Sequence, residues 1–116
     1  MNKNKDLDLK ETFALAVKNY TENNIKIATD LFNQVLKIDP NHSATLNNLG
    51  ILYADLGKNQ KAKSCYEKAI AINPNFADAY YNLSNIFIKL NKSQKAIDCC
   101  EKVITINPNF AEAHNN

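Results

Sequence analysis

The sequence predicts an all-α fold, a solenoid of antiparallel helix pairs, from two observations. The three prolines, Pro40, Pro74 and Pro108, lie 34 residues apart in the same Ile-Asp/Asn-Pro-Asn setting, and a fixed period of this length is typical of repeat architectures. Only two glycines occur among the 116 residues, so long stretches are free to be helical. We therefore expect one two-helix unit repeated about three times, with function on a stacked surface.

Each unit is predicted to end two residues after its proline. Unit one is then 9–42, unit two 43–76 and unit three 77–110, with 1–8 as a charged lead-in and 111–116 as the truncated start of a fourth unit. Units two and three are identical at 16 of their 34 positions. An identity this high indicates a true internal repeat rather than a shared composition.

Apolar residues recur in each unit at the i, i+3, i+4 and i+7 spacing of amphipathic helices, as in Leu46, Leu49 and Tyr53 of unit two. Gly57 suits a left-handed helix end, and Asn91 takes its place in unit three. Ser93 is then a plausible N-cap. The residue before each proline disfavours helix, so the second helix of each unit stops there. The predicted helices span 9–22, 25–38, 43–56, 59–72, 77–90 and 93–106.

The order of large, small and aromatic residues in these units resembles the tetratricopeptide repeat. Unit two carries the pattern in Leu46, Leu49, Gly50, Tyr53, Ala62, Tyr66, Ala69 and Pro74. Unit three carries it in Tyr80, Leu83, Ser84, Phe87, Ala96, Cys100, Val103 and Pro108. Unit one departs at its start, with Thr12 and Asn19. The resemblance implies a right-handed superhelical solenoid and a non-catalytic scaffold for protein–protein interaction.

The resemblance also implies that the first helix of each unit lines a concave groove, which would bind an extended peptide or a partner helix. The predicted partner-binding residues are Phe13, Val17, Asn47, Asn48, Ile51, Asp55, Tyr81, Asn82, Asn85, Ile88, Lys89 and Asn116. The apolar members exceed what the repeat pattern requires, which is a binding signal. The alternative, that some of them pack within their own helix pair, is equally open.

Asn48, Asn82 and Asn116 recur 34 residues apart, whereas unit one has Ala14 at this position. A carboxamide has both donors and an acceptor, so a line of them can hold a peptide backbone without reading its side chains. The line resembles the asparagine ladder of protein O-linked N-acetylglucosamine transferases. The alternative is a consensus residue that holds local helix contacts.

Several function classes are disfavoured by composition. The net charge is only +2 and all fourteen basic residues are lysine. This disfavours nucleic-acid binding, because arginine supplies the bidentate contacts to phosphate and guanine. No glycine-rich phosphate loop occurs. His42 is expected to be a solvent-exposed loop histidine, and the three cysteines to be reduced core or surface residues. We predict no enzyme activity, no cofactor and no metal site.

The N-terminus is charged and no apolar run reaches the roughly 20 residues of a membrane span. We therefore predict a cytoplasmic protein that binds neither membrane nor nucleic acid. Tetratricopeptide domains of chaperone cofactors hold an acidic C-terminal peptide with basic and amide side chains. Of the matching positions here only Asn48 agrees, while Asp78 would repel a carboxylate, so tight binding of such a peptide is not expected.

Two further hypotheses remain open. The chain could be the N-terminal substrate-docking segment of a larger enzyme, such as a glycosyltransferase or a sulfotransferase. Alternatively, the uncapped C-terminal end of the stack could associate with a second copy. Its apolar face is expected near Ala96, Cys100 and Val103, and a bare apolar face favours association.

Overall fold

The computed structural model describes residues 2–110, with side chains from Asp8 onward, and contains six α-helices and no strand in that range. The helices are α1 (Asn2–Thr21), α2 (Ile25–Ile38), α3 (Ser43–Asp55), α4 (Asn59–Ile72), α5 (Ala77–Lys89) and α6 (Ser93–Ile106). The predicted all-α fold is confirmed. Five helices begin at the predicted residue, and all six end within one residue of the prediction. Only α1 begins earlier, because the lead-in contains no proline or glycine to stop the helix.

The turns inside each unit are made by residues in the left-handed backbone region. The backbone φ angles are 65° at Asn23, 75° at Gly57 and 59° at Asn91, and asparagine and glycine adopt this region at the lowest cost. The predicted glycine and its asparagine substitute are therefore confirmed. The predicted N-cap Ser93 is wrong, since α6 starts at Ser93 itself and Lys92 precedes it without a side-chain cap.

The turns between units share one hydrogen-bond pattern across the prolines. The side-chain oxygen of Asp39 accepts a hydrogen bond from the Asn41 N–H at 3.0 Å. Asn73 and Asn107 accept equivalent bonds from the residues two positions later, at 3.3 and 3.2 Å. Such local side-chain turns compete with helix. Together with the proline that follows, they explain why every second helix stops at the same point.

The core lies where the first helix of one unit enters the groove left by the unit before it. In the first inner groove, Ala28 and Phe32 of α2 surround Leu49 and Leu52 of α3. All four side chains are buried. Burial of each leucine stabilises the fold by about 1.5–3 kcal/mol, so stacking of units, rather than one central core, holds the chain together.

The second inner groove repeats this arrangement one unit later. Ala62 and Tyr66 of α4 pack with Leu83 and Ile86 of α5. The molecule is accordingly elongated, with extents of 46 × 26 × 21 Å. Within the described residues, no helix is long and apolar enough to cross a membrane.

Candidate functional site

The three first helices, α1, α3 and α5, lie side by side, and two side-chain hydrogen bonds join them. The Tyr20 hydroxyl donates to the Asp55 carboxylate, which links α1 to α3. The Asn82 Nδ2 donates to the Asn47 Oδ1 at 3.1 Å, which links α3 to α5. We call the outer surface of these three helices the first-helix face. Most of the residues predicted to bind a partner belong to it.

The parts of the first-helix face that belong to α3 and α5 carry no charge over their centre. Residues 43–54 of α3 and 79–88 of α5 contain no acidic or basic side chain. In these two helices, charged groups stand only at the ends, at Asp55, Asp78 and Lys89, and all three are exposed. A ligand that lies along α3 and α5 would therefore meet hydrogen-bonding amides and apolar groups, whereas α1 also carries the exposed charged residues Lys10, Glu11 and Lys18.

The apolar members of the predicted set belong largely to the packing of the stack. Phe13 and Val17 lie half-buried against the first inner groove, and Ile51 lies against the second. The Phe13 ring is 6.2 Å from Phe32, centroid to centroid. Local packing therefore accounts for a large part of these three side chains, while their partial exposure leaves one edge free for a ligand.

Tyr81 and Ile88 of α5 behave differently from that group. The ring of Tyr81 packs against Phe110 at 5.4 Å, centroid to centroid, so it joins α5 to the end of unit three. Ile88 is 55% exposed and lines a groove with residues of α6.

The asparagines fall into a supporting residue and a set that is open to a ligand. Asn47 is only 7% exposed and holds the side chain of Asn82. Asn48 occupies in unit two the position that Asn82 occupies in unit three. In unit one, the residue at the position of Asn47 is Phe13, which has no acceptor for the Asn48 side chain. Among the described residues, no side-chain hydrogen bond engages Asn48. Asn85, also half-buried, completes the set, and Asn116 lies outside the described residues.

Burial raises the pKa values of several groups among the described residues, including Tyr20 of α1 and Cys99 of α6. Burial, and next the hydrogen bond to Asp55, raise the pKa of Tyr20 to about 12. Burial raises the pKa of the Cys99 thiol to about 11, so this thiol is neutral and a poor nucleophile near pH 7. Among the described residues, no group of three potential metal-ligating side chains comes together.

His42 has a structural role that the sequence interpretation missed. The prediction of a solvent-exposed loop histidine is wrong, because the ring is half-buried and lies 5.0 Å from Phe13, centroid to centroid. Its Nδ1 accepts a hydrogen bond from the Thr45 N–H at 3.3 Å and so caps α3. Its place immediately before the first residue of α3 was the available signal, since N-cap residues accept from the first turn.

The repeat pattern agrees with one known family. The sequence profile described as "Tetratricopeptide repeat" matches residues 43–76 and again residues 77–110, together more than half of the chain. The chain belongs to the tetratricopeptide repeat family. Its first-helix face corresponds to the surface that the resemblance assigned to the concave side of the solenoid.

Tetratricopeptide repeat structures of the same fold include proteins of different function. The structure titled "First TPR of Spaghetti (RPAP3) bound to HSP90 peptide SRMEEVD" matches with a TM-score of 0.89 at 24% identity, over 94% of this chain and 86% of that one. A mutant O-GlcNAc transferase of Thermobaculum terrenum matches with a TM-score of 0.88 at 23% identity, over 95% of this chain and 21% of that one. At these identities the likeness shows the fold.

One further protein described as a glycosyltransferase contains a stretch similar to this chain. The tomato (Solanum lycopersicum) protein described as "Probable UDP-N-acetylglucosamine--peptide N-acetylglucosaminyltransferase SPINDLY" is 38% identical over 48 residues. This match spans 41% of the chain and 5% of the tomato protein. It concerns a short stretch of that relative, and no catalytic residue is transferred by it.

Proposed function

We propose that this tetratricopeptide repeat chain is a non-catalytic interaction module that binds an extended, largely uncharged peptide segment of a partner protein on its first-helix face. The observation that carries the proposal is the uncharged centre of α3 and α5 with Asn48, Asn82 and Asn85 on it. Carboxamides can donate to peptide carbonyls and accept from peptide N–H groups at the same time. Main-chain recognition follows, with weak selection of side chains. The proposed binding needs no cofactor, and cytoplasmic location stays a prediction.

Asn48 is the side chain best placed to contact the peptide. Its carboxamide is free of the cross-helix bond that Asn82 makes to Asn47. Asn82 can offer a ligand its oxygen and one remaining N–H, and Asn47 keeps it oriented. Phe13 and Ile51 belong to the same predicted partner-binding set as Asn48 and would contact apolar parts of the ligand.

The acidic peptide bound by the Spaghetti (RPAP3) domain is a poor candidate for this surface. A peptide of sequence SRMEEVD carries three carboxylate side chains. Neither α3 nor α5 has a basic side chain before its last residue. Asp78 at the start of α5 is exposed and would repel it. We expect no tight binding, and a micromolar affinity that is lost in Asn48→Ala would contradict this expectation.

The test is a selection of peptides from a random library displayed against the protein, followed by affinity measurements with Asn48→Ala and with Asn33→Ala. Asn33 is an exposed asparagine of α2, away from the first-helix face, and serves as the matched control. We expect Asn48→Ala to weaken binding about tenfold, the loss of one or two hydrogen bonds, and Asn33→Ala to have no effect.

A second measurement tests main-chain recognition directly. Methylation of single backbone nitrogens in a selected peptide should weaken its binding, while exchange of uncharged side chains should matter less. Equal affinities for wild type, Asn48→Ala and Asn33→Ala would show that the first-helix face is not the binding surface.

A second candidate function is that of a substrate-docking segment in a larger glycosyltransferase. The observations that favour it are the likeness to repeats of an O-GlcNAc transferase and of the SPINDLY protein. The coding sequence downstream of residue 116 decides between the two. A nucleotide-sugar-binding domain there would support docking of a substrate protein, and a stop codon directly after it would remove this candidate.

A further inference from the structure

A groove runs between the second helices of units one and two, α2 and α4, with α3 at its floor. It consists of two joined cavities of about 250 and 420 Å³, which share Leu36, Leu46 and Lys68. We call it the first outer groove. Its lining includes Lys61 and Lys68 but no acidic residue. An apolar floor is therefore combined with two positive charges.

The matching surface between α4 and α6, which we call the second outer groove, has a different charge balance. Its residues lie 34 positions later in the sequence, and both lysines have lysine counterparts there. However, Glu67 stands in place of Asn33, and Asp98 in place of Ser64. Two acids therefore compensate the lysines of the second outer groove, whereas uncharged polar groups line the first.

The cysteines at equivalent positions of the two grooves report this difference. Burial raises the pKa of the Cys65 thiol in the first outer groove, and the positive charges of Lys68 and Lys61 act to lower it. Burial also raises the pKa of the Cys99 thiol, but there the neighbouring groups raise the pKa further, namely Cys100, Asp98 and Glu67. The field is therefore cationic in the first outer groove and anionic in the second.

We propose that the first outer groove binds an acidic segment of a partner protein, in which two carboxylate side chains about 10 Å apart flank an apolar one. Lys61 and Lys68 are seven residues apart on α4, which is about two helical turns. They pair with the two carboxylates. The apolar side chain of the segment covers Leu36 and Ile72, which is 38% exposed.

The shape and chemistry of the groove favour a peptide over a phosphate. Lys61 Nζ lies 5.4 Å from the centroid of the Tyr53 ring, and this attraction holds the ammonium group at the edge of the groove. A side chain held in this way loses less freedom on binding. A phosphate would pair with the lysines but leave the leucines of the floor uncovered, whereas a peptide can satisfy both.

The chain itself does not supply this segment within its 116 residues. The unit that follows in the stack, α5 and α6, is already in place and leaves the groove open. Residues 1–7 contain two lysines and a single acid, and 111–116 contain one carboxylate side chain and no aliphatic side chain larger than alanine. Charge complementarity therefore points to a separate protein.

The probe is a synthetic peptide of sequence Gly-Glu-Leu-Pro-Glu-Leu-Gly. Its glutamates are three residues apart, which places them about 9 Å apart on one side of a polyproline helix. A second peptide has glutamine in place of both glutamates. Binding to the full chain is followed in leucine- and isoleucine-methyl NMR spectra.

We expect the glutamate peptide to shift the methyl signals of Leu36 and Ile72. The signal of Ile106, which holds in unit three the place of Ile72, should not move. The glutamine peptide should bind at least tenfold more weakly, because the lysines lose their partners. An increase from about 50 to about 300 mM NaCl should weaken the glutamate peptide several-fold.

Two protein variants provide the matched control. Asn33→Glu with Ser64→Asp gives the first outer groove the acids of the second and should weaken the glutamate peptide at least tenfold. Ser93→Asp with Asn109→Glu adds the same charges at exposed positions of unit three and should change its affinity less than twofold. Both variants leave Asn48 and the first-helix face intact, so the result is independent of the proposed peptide binding there.

Four outcomes would overturn the proposal. One is the absence of shifts at Leu36 and Ile72 at millimolar peptide. Another is equal weakening by the two double variants, which would show a response to net charge alone. The third is the same shifts with inorganic phosphate or an oligothymidylate at lower concentration than the peptide. The fourth is a protein mass that doubles with concentration while these signals shift without peptide, because a second copy would then be the occupant.

Discussion

Units two and three share the lengths of their helices and the position of every turn, yet they pack their helix pairs with different residues. In unit two the large Tyr66, 2% exposed, lies against Gly50, and a Cβ atom added at Gly50 would lie 2.7 Å from Tyr66 Cδ1. In unit three the matching residues are Ser84 and Cys100. Unit two pairs glycine with a large aromatic side chain, whereas unit three has side chains of intermediate size at both positions.

One helical framework therefore supports different surfaces through a local exchange of volume between neighbouring side chains. The Gly50–Tyr66 pair leaves no room for an additional side chain and closes the contact between α3 and α4. The smaller Cys100 of unit three instead lines an open groove with Ile88 and Ile97. Closely packed interiors make such exchanges compensatory, because volume gained at one position must be lost at its neighbour.

The largest effect is expected from truncation of the Tyr66 side chain. Tyr66→Ala should lower the free energy of unfolding by about 3–5 kcal/mol, since it leaves a cavity in the second inner groove. Urea unfolding followed by circular dichroism measures the loss.

Cys100→Ala is the matched change in unit three and should cost less than about 1 kcal/mol, because the side chain is small and half-buried. Equal losses in the two variants would mean that unit three depends on its second helix as tightly as unit two does.

A smaller effect should follow from transplanting the unit-three pair into unit two. Gly50→Ser alone should destabilise the protein by about 1–3 kcal/mol, because the new side chain meets the Tyr66 ring. In a Tyr66→Cys background the same change should cost clearly less, and the difference is the coupling energy of the pair. Additive free energies in this double-mutant cycle would show that the two residues are not exchanging volume.

A small change in the free energy of unfolding is expected at the junction between units one and two, where the Tyr20–Asp55 hydrogen bond has no counterpart between units two and three. Tyr20→Phe removes the hydrogen bond to Asp55 and should lower the free energy of unfolding by about 1 kcal/mol at pH 7. The pKa of Tyr20 is raised from 10.0 to about 12, so folding favours the neutral phenol. Its contribution is complete below pH 10 and is lost as the pH rises from 10 to 12.

The difference between wild type and Tyr20→Phe should therefore narrow over that range in denaturant titrations. At the second junction the matching residues are Ala54 and Lys89, which cannot form this bond. A constant difference across the range would contradict the role of the phenol.

Much of the fold could be predicted from the sequence because its signals are local. The prolines, with Asp39, Asn73 and Asn107 before them, stop every second helix, and Gly57 and Asn91 make the turns inside units two and three. The start of α1 could not be placed, because its lead-in has no proline or glycine and contains several asparagine and aspartate residues that could each cap a helix. The role of His42 also depended on contacts, with Phe13 from another helix and with the backbone of Thr45.

The first-helix face, too, could be predicted only in part from the sequence. The repeat spacing placed Asn48 and Asn82 on one face, and the structure adds that Asn82 is held by Asn47 whereas Asn48 has Phe13 as the corresponding neighbour. Such a difference between equivalent residues depends on pairs from neighbouring units. A pattern read along one unit cannot predict it.

The helices, their turns and the family could be predicted from residues 1–116 without the structure, because the 34-residue period and the backbone preferences act along the chain. Which apolar side chains are packed and which are exposed became visible only in the folded arrangement of the helices. Phe13 and Ile51 face filled grooves, while Ile88 and Ile97 face one that the described residues leave open. The physical reason is that burial depends on the neighbour that a stacked helix meets, and that neighbour lies a whole unit away in sequence.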